Sequence, residues 1–421
     1  MAGVRNRKSN WSVMRKIRTT LVNPLNRDRL EILGDHVISF QAGVISGKRP
    51  YDPVLDSDCE DRRDCVLLPG LIDVHTHLSQ YRIRGLFEPA LLPWLDKHVY
   101  PAEARSSDPV YARGIAEEFF AALFAAGTTT SVIFTAPFEV SCQKAFEAAS
   151  KMGARAFIGM SMMDQNCPVQ LRQDTDTAIA LSKDLFHRFD TASPLLRYIL
   201  TPRFAVSCSS RLLNWVGSFA ADNAAWIQTH LSENEEEVRF VRDAFKTGTY
   251  TQVYQERGML TPRSIFAHAI HLGRAEMGIL ASHECKLAYC PDSNFFLKSG
   301  EFPYQDISSQ GIGIGIGSDI AAGTTPNMLY HAKMANFRQS AYPLLPAHLI
   351  WHLTLGNAAL LGLEDRIGSL ETGKEADFIL LKLPKPLDGE NDLAPELCFC
   401  GHEYKLRETV IAGRTVFLSE G

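Results

Sequence analysis

Apolar and polar positions follow two different periods along this chain. From Ile17 to Val66, short apolar runs alternate with turn residues (Thr19–Val22, His36–Phe40, Gly43–Ile45), a pattern that predicts short antiparallel strands. The other end repeats it in Asp377–Lys382 and Glu408–Phe417. Two β-rich flanks around a different middle predict one small β-sandwich domain built from both chain ends, residues 1–68 and 366–421.

Residues 69–365 behave otherwise. Eight β-rich runs recur there: Leu71–His77, Thr128–Thr135, Arg155–Met163, Leu196–Phe204, Trp226–Ser232, Ser264–Ile270, Leu287–Cys290 and Gly311–Asp319. Helix-like stretches separate them, such as Ala112–Ala126, Ser141–Met152 and Glu233–Lys246. Eight β-then-α units predict an α/β fold, a TIM-like (β/α)₈ barrel. Such barrels place their chemistry at the C-terminal ends of the strands, so the residues closing each run are the ones to inspect. The glycine-rich run Gly311–Gly317 has Ile at position 316 and fails the register of a nucleotide loop. At a period of two, Ile312, Ile314 and Ile316 face the outer helices, while Gly313, Gly315, Gly317 and Asp319 face the barrel interior. The run therefore reads as a buried strand delivering a carboxylate.

Composition narrows the classes. The chain has 421 residues with 45% hydrophobic and 22% charged, which fits a soluble globular protein. A net charge of −5 argues against nucleic acid as a partner. The most apolar stretch, Leu349–Leu363, is interrupted by His352, Thr354 and Asn357, which argues against a membrane-spanning helix. Nine scattered cysteines in a long chain read as reduced thiols in a cytoplasmic protein. Residues 1–18 carry six basic groups and no acid. That stretch reads as a solvated basic extension, with an organelle transit segment as the alternative.

The candidate chemistry begins at Asp73-Val74-His75-Thr76-His77. Two histidines at i and i+2 of a strand project to one side and can share a metal. With 13 histidines in 421 residues, chance alone supplies about 0.4 such pairs, so the pair carries little weight by itself. Run five adds His230 and Glu233, run six His268, and run eight Asp319. Four imidazoles and a carboxylate at one barrel rim make an N/O ligand set for a divalent ion such as Zn²⁺. His271 is a rival to His268, and His283 falls in a helix-like stretch.

These residues carry a resemblance. Pro69–His77 resembles the first barrel strand of the amidohydrolase superfamily. More narrowly, the chain is similar to the guanine deaminase family. The matching pieces are His77–Tyr81, Leu92–Leu95, Thr201–Phe204, Thr229–Asn234, Cys290–Asn294 with Leu297 and Ser299-Gly300, and Gly317–Asp319. The resemblance implies one zinc per subunit, held by residues matching His75, His77, His230, His268 and Asp319. Run four contains no lysine for a second metal. The implied reaction is hydrolytic deamination of guanine to xanthine and ammonia. Asp319 would accept the proton of water, and Glu233 would protonate N3 as C2 is attacked. Apart from the resemblance, Glu233 reads equally well as a first-turn helix carboxylate.

Arg203, with its fixed fork of donors, suits the guanine O6 acceptor, where adenine presents a donor. Gln80 offers a donor and an acceptor to the purine edge. Phe204 stacks on the base or is a barrel-end core aromatic, and Trp94 with Pro93–Pro101 would form part of a lid. Partners are then a purine base and water, with a homodimer as the family tendency. A related deaminase of another amino-heterocycle, such as 8-oxoguanine or a triazine, is the alternative. It would keep the metal set but would not require Arg203. The sequence departs from the family pattern at Ala269 and at Ala322-Gly323, where glycines are usual.

Overall fold

The computed structural model describes residues 14–384 and 392–420. Fifteen strands are described: β1 Arg15–Asn26, β2 Arg29–Gln41, β3 Val44–Pro50, β4 Glu60–Pro69, β5 Leu71–His77, β6 Thr128–Thr135, β7 Arg155–Met162, β8 Leu196–Pro202, β9 Trp226–Leu231, β10 Ser264–His268, β11 Lys286–Tyr289, β12 Gly313–Ile316, β13 Phe378–Lys382, β14 Leu406–Ile411 and β15 Arg414–Leu418. They form two sheets. One has seven strands in the order β15-β14-β13-β4-β1-β2-β3, and the other has eight in the order β12 down to β5.

The flanks thus build one mixed sheet in which β1 and β4 are parallel and the other pairs antiparallel. The sandwich read from the sequence is realised by curling this single sheet. Phe40 on β2 and Phe378 on β13 lie three strands apart, a span of about 14 Å in a flat sheet. Their ring centroids nevertheless stand 5.1 Å apart. The fold-over encloses Ile17, Leu21, Ile38, Phe40, Leu67, Phe378 and Leu380 in a core of their own. The last three cations of the basic stretch belong to β1 and are paired. Arg15 binds Glu60 and Glu408, Lys16 binds Asp58 and Arg18 binds Asp35. Arg5, Arg7 and Lys8 lie outside the described residues.

All eight barrel strands predicted by the apolar runs are present and pair in parallel in chain order. Because helices cover the outside and side chains fill the inside, such strands read as near-continuous apolar runs. Ile72, Val74, Val132, Phe157, Ile199, Ile265 and Ala288 fill the barrel toward the strand starts, together with Ala358, Leu360 and Ile367. The C-terminal end is left for polar groups. The helix expected over Glu233–Lys246 runs from Glu235 to Phe245, because Asn234 takes the cap and Glu237 completes a capping box.

The barrel closes where β5 meets β12. Asp319 N donates to His75 O at 2.8 Å and His77 N to Ile320 O at 3.1 Å. Side chains tie the same seam. Asn357 Nδ2 donates to Ile72 O and Ile316 O, its Oδ1 accepts from Ile316 N, and Asp73 accepts from the backbone and hydroxyl of Ser318. The strands pass closely here. A Cβ on Gly317 would stand 2.8 Å from the His75 Cβ, and one on Gly315 2.7 Å from Asn357 Oδ1, so both glycines face inward as their spacing predicts. The two sheets are also joined. Gly70 N donates to Asp377 O at 2.9 Å, and the buried Arg155 of β7 reaches Glu375 at 2.7 Å and Asp377 at 3.0 Å.

Candidate metal centre and substrate pocket

The strand ends converge on one buried cluster. Nitrogen or oxygen atoms of His75, His77, His230 and Asp319 lie within 4.8 Å of one another, and a second set at the same spacing joins His75, His268 and Asp319 with the Cys290 Sγ. His75 and His77 Nε2 stand 3.2 and 3.3 Å from Asp319 Oδ1, and His77 Nε2 is 3.2 Å from His230 Nε2. His268 sits one step away, its Nε2 3.8 Å from Asp319 Oδ2 and 3.5 Å from Glu233 Oε2. The five residues named from the sequence are therefore gathered, with His268 on the Glu233 side. The rivals are elsewhere: His271 Nε2 bonds Ser299 O, and His283 Nδ1 bonds Ile279 O.

The far side of each ring fixes which nitrogen faces the cluster. His230 Nδ1 donates to Arg203 O at 2.6 Å and His268 Nδ1 to Asn294 Oδ1 at 2.9 Å. Both protons are thus held on Nδ1, and both Nε2 lone pairs point inward. His75 Nε2 is buried without a hydrogen-bond partner. Converging imidazole lone pairs beside a carboxylate, with a buried orphan among them, fit a divalent cation of the zinc type. β8 carries no lysine, and its Arg197 turns to the carbonyls of Asp190, Ser193 and Leu196.

Phe134 of β6 packs under the cluster, its ring centroid 5.1, 4.6 and 4.9 Å from those of His75, His77 and His230. Burial keeps the rings neutral. It drives His77 down to about 4 and His230 well below the usual histidine value, with the neighbouring imidazoles adding to the shift. Burial opposes ionisation of Asp319 as well, but contact with His75 and His77 outweighs it and holds this carboxyl well below the usual range. Ser293 Oγ donates to its second oxygen. Glu233 goes the opposite way: burial, then the charge on Asp319, raises it well above an ordinary glutamate. Two carboxyls in one pocket are thereby split into a base and an acid. Backbone geometry sharpens the cluster. Ser232, His268, Ala269 and Asp319 all have positive φ, between 49° and 72°, at this rim. Ala269 adopts left-handed backbone, a conformation that glycine takes more readily. Gly323 is needed as glycine, since a Cβ there would meet Ser318 O at 1.6 Å.

Gln80, Arg203, Phe204, His230, Glu233 and Asp319 all line one cavity with His77, His268, Leu91, Trp94, Leu95 and Leu297. Trp94 is among the lining residues, with its indole N–H donating to Leu86 O at 2.7 Å. A cavity of about 450 Å³ adjoins it, sharing Leu95 and Phe204 and lined also by Tyr100 and Glu237. Glu233 is not a first-turn helix residue. It precedes the Asn234 cap, and its backbone N–H is held by Glu237 Oε2 at 3.0 Å. Sequence reasoning missed Glu103, Phe134 and Cys290 as site neighbours. The one signal for Glu103 is an acid placed among Val99, Tyr100, Ala102 and Ala104, an apolar setting that implies a buried partner.

Comparison with known proteins agrees with this geometry. The amidohydrolase family model matches residues 66–416. A probable guanine deaminase of Deinococcus radiodurans is 36% identical over 84% of each chain. The structure of E. coli guanine deaminase superposes with a TM-score of 0.91 at 28% identity, covering 97% of this chain and 100% of that one. A guanine deaminase from C. acetobutylicum, solved with guanine in its active site, gives 0.90 at 25% identity, covering 96% and 100%. A closed eight-stranded barrel with a buried histidine–aspartate metal-binding group at its C-terminal rim, matched over this length, makes the chain a member of the amidohydrolase family.

Proposed function

We propose that this protein hydrolyses guanine to xanthine and ammonia, with one zinc ion per subunit held by His75, His77, His230, His268 and Asp319. The observation that carries the proposal is the shared cavity. A histidine–aspartate cluster able to hold a metal, a glutamic acid that burial holds well above its usual range and a buried arginine all face it. The names of the relatives and the guanine-bound neighbour support the same substrate.

Bound there, zinc acts as a Lewis acid and lowers the pKa of water toward about 7, supplying a nucleophile at neutral pH. The chain's own groups handle substrate and protons. Arg203 directs N–H groups at the O6 edge, and Phe204 offers a ring face beside His230. Asp319, ionised, takes a proton from water, and Glu233, protonated, gives one to N3 as the C2–O bond forms. The C2–N bond then breaks. Asp319 passes the proton it took to the departing amine, and the C2 hydroxyl returns a proton to Glu233 as it becomes the carbonyl, so ammonia leaves and both carboxyls regain their starting states. The cover formed by Leu91, Trp94 and Leu95 keeps bulk water out.

All nine cysteines are free, which supports the reduced, cytoplasmic compartment read from the sequence. Among the described residues no helix is long and apolar enough to cross a membrane. The homodimer remains part of the proposal by resemblance, and light scattering on the purified protein tests it. The deciding experiment pairs metal analysis with ammonia release from guanine, 8-oxoguanine and a triazine. Guanine should be turned over far faster than the others. Comparable rates on all three would overturn the reading.

A further inference from the structure

Arg203 is buried, with 3% of its surface exposed, and a lone guanidinium in such a place is an anion receptor. It is not alone. Arg203 Nη1 reaches both oxygens of Glu103 at 2.8 Å, and Glu103 is fully buried. The same carboxylate accepts from Gln80 Nε2 at 2.9 Å, and Gln80 Oε1 accepts from Ala321 N at 3.3 Å. Reversing the Gln80 amide would set oxygen against carboxylate and NH₂ against N–H, so its orientation is fixed. One Nη1 is engaged by Glu103 while Arg203 still lines the cavity. The pocket therefore meets its ligand with guanidinium and amide donors whose charge is already cancelled.

We propose that Glu103 is a specificity-determining positioning residue that makes the Arg203–Gln80 pair select a neutral oxopurine edge over an anion. The inference rests on reading the pocket as a purine-base site. Donors alone match O6 and N7 of guanine, two adjacent acceptors, and mismatch the N7 acceptor and N6 donor of adenine. The neutralising charge adds a second filter against bases that carry a negative charge. Glu103 reaches the pocket from the short helix Tyr100–Ala104, outside the barrel strands, so this filter is complete only when that segment is docked.

The test uses zinc-loaded Glu103→Gln and Glu103→Asp proteins with three ligands: guanine as substrate, hypoxanthine as a neutral oxopurine, and urate as an oxopurine anion at neutral pH. In Glu103→Gln, guanine kcat/KM should fall about 100-fold, mainly through KM, because the donors lose their set positions. Urate inhibition should tighten about tenfold relative to hypoxanthine, because the arginine charge is released. Glu103→Asp keeps the charge, so its urate-to-hypoxanthine ratio should stay at the wild-type value while guanine KM rises. A merely structural role would weaken both inhibitors equally. Equal weakening, or a guanine kcat/KM within about threefold of wild type in Glu103→Gln, would overturn the proposal. If Glu103→Gln does not fold, a changed inhibitor ratio in Glu103→Asp overturns it instead. Should the wild-type protein leave guanine intact, the substrate reading fails, and the ratio of urate to hypoxanthine dissociation constants, read by calorimetry, still decides the role of Glu103.

Discussion

Replacing Asn357 by alanine tests whether the closing seam of the barrel depends on one side chain. Asn357 is fully buried, and its amide makes three bonds, at 2.7, 3.0 and 3.1 Å, to backbone groups of β5 and β12. Alanine takes this partner from three buried polar groups. Each such loss costs about 1–3 kcal/mol, and relaxation recovers part of it, leaving a penalty of about 3–6 kcal/mol. With 421 residues and an unfolding entropy of about 2.1 cal/mol/K per residue, the melting temperature should drop by about 3–7 °C. The same seam fixes the backbone of His75 against Asp319, so metal retention should fall with it. Asn357→Asp sharpens the test. Above pH 7 its carboxylate faces two carbonyl oxygens where a donor stood, and it should melt at least as low as the alanine variant. Thermal melts followed by tryptophan fluorescence, with metal content from elemental mass spectrometry, read both effects. An alanine variant melting within about 1 °C of wild type, with wild-type metal content, would refute the reasoning.

His230→Ala should lose most of its bound metal, and stoichiometric metal in that variant would remove His230 from the ligand set. Glu233→Gln should keep its metal and lose about 10²–10⁴ in turnover, so near-normal ammonia release would dismiss its acid role. Burial, then the neighbouring Glu233, raises Glu237 to about 7 from 4.5. An acid raised in the folded state costs nothing below its unfolded pKa, and stability falls as pH climbs through the window between the two values, by about 3 kcal/mol in all. Glu237→Gln does not titrate, so urea melts should show it gaining on wild type between pH 4.5 and about 7. A difference flat with pH would contradict this.

The barrel was legible because its strands are apolar on both faces and its chemistry closes each run. The limits of legibility have particular causes. Run eight was read through Asp319, yet β12 ends at Ile316. The close passage of Gly317 over His75 turns the chain, and Asp319 reaches the site with φ at 51°. That is a tertiary constraint without a local signature. Run four likewise stops at Pro202, and Arg203 lies beyond it. In β5 the pairing register slips between Asp73 and Thr76. This lets Val74 join the inner core while His75 and His77 face the metal cluster, a departure from strict alternation that no period-two reading contains. Glu103 stayed hidden because its partner is a hundred positions away in sequence, and burial of a carboxylate is set by the fold rather than by its neighbours. The helix after β9 starts two residues later than its apolar pattern predicts, because Asn234 and Glu237 form a capping box that the pattern alone does not contain.

The join between the two sheets has a consequence for anyone wishing to trim this enzyme to its catalytic core. β4 runs directly into β5, so the segment bearing His75 and His77 is splinted by strands drawn from both chain ends. Excising residues 69–365 would strip that splint and leave the Arg155 guanidinium in the barrel wall without Glu375 or Asp377. The flanks are therefore scaffolding, and a transplant of the active site into another host would have to bring them along.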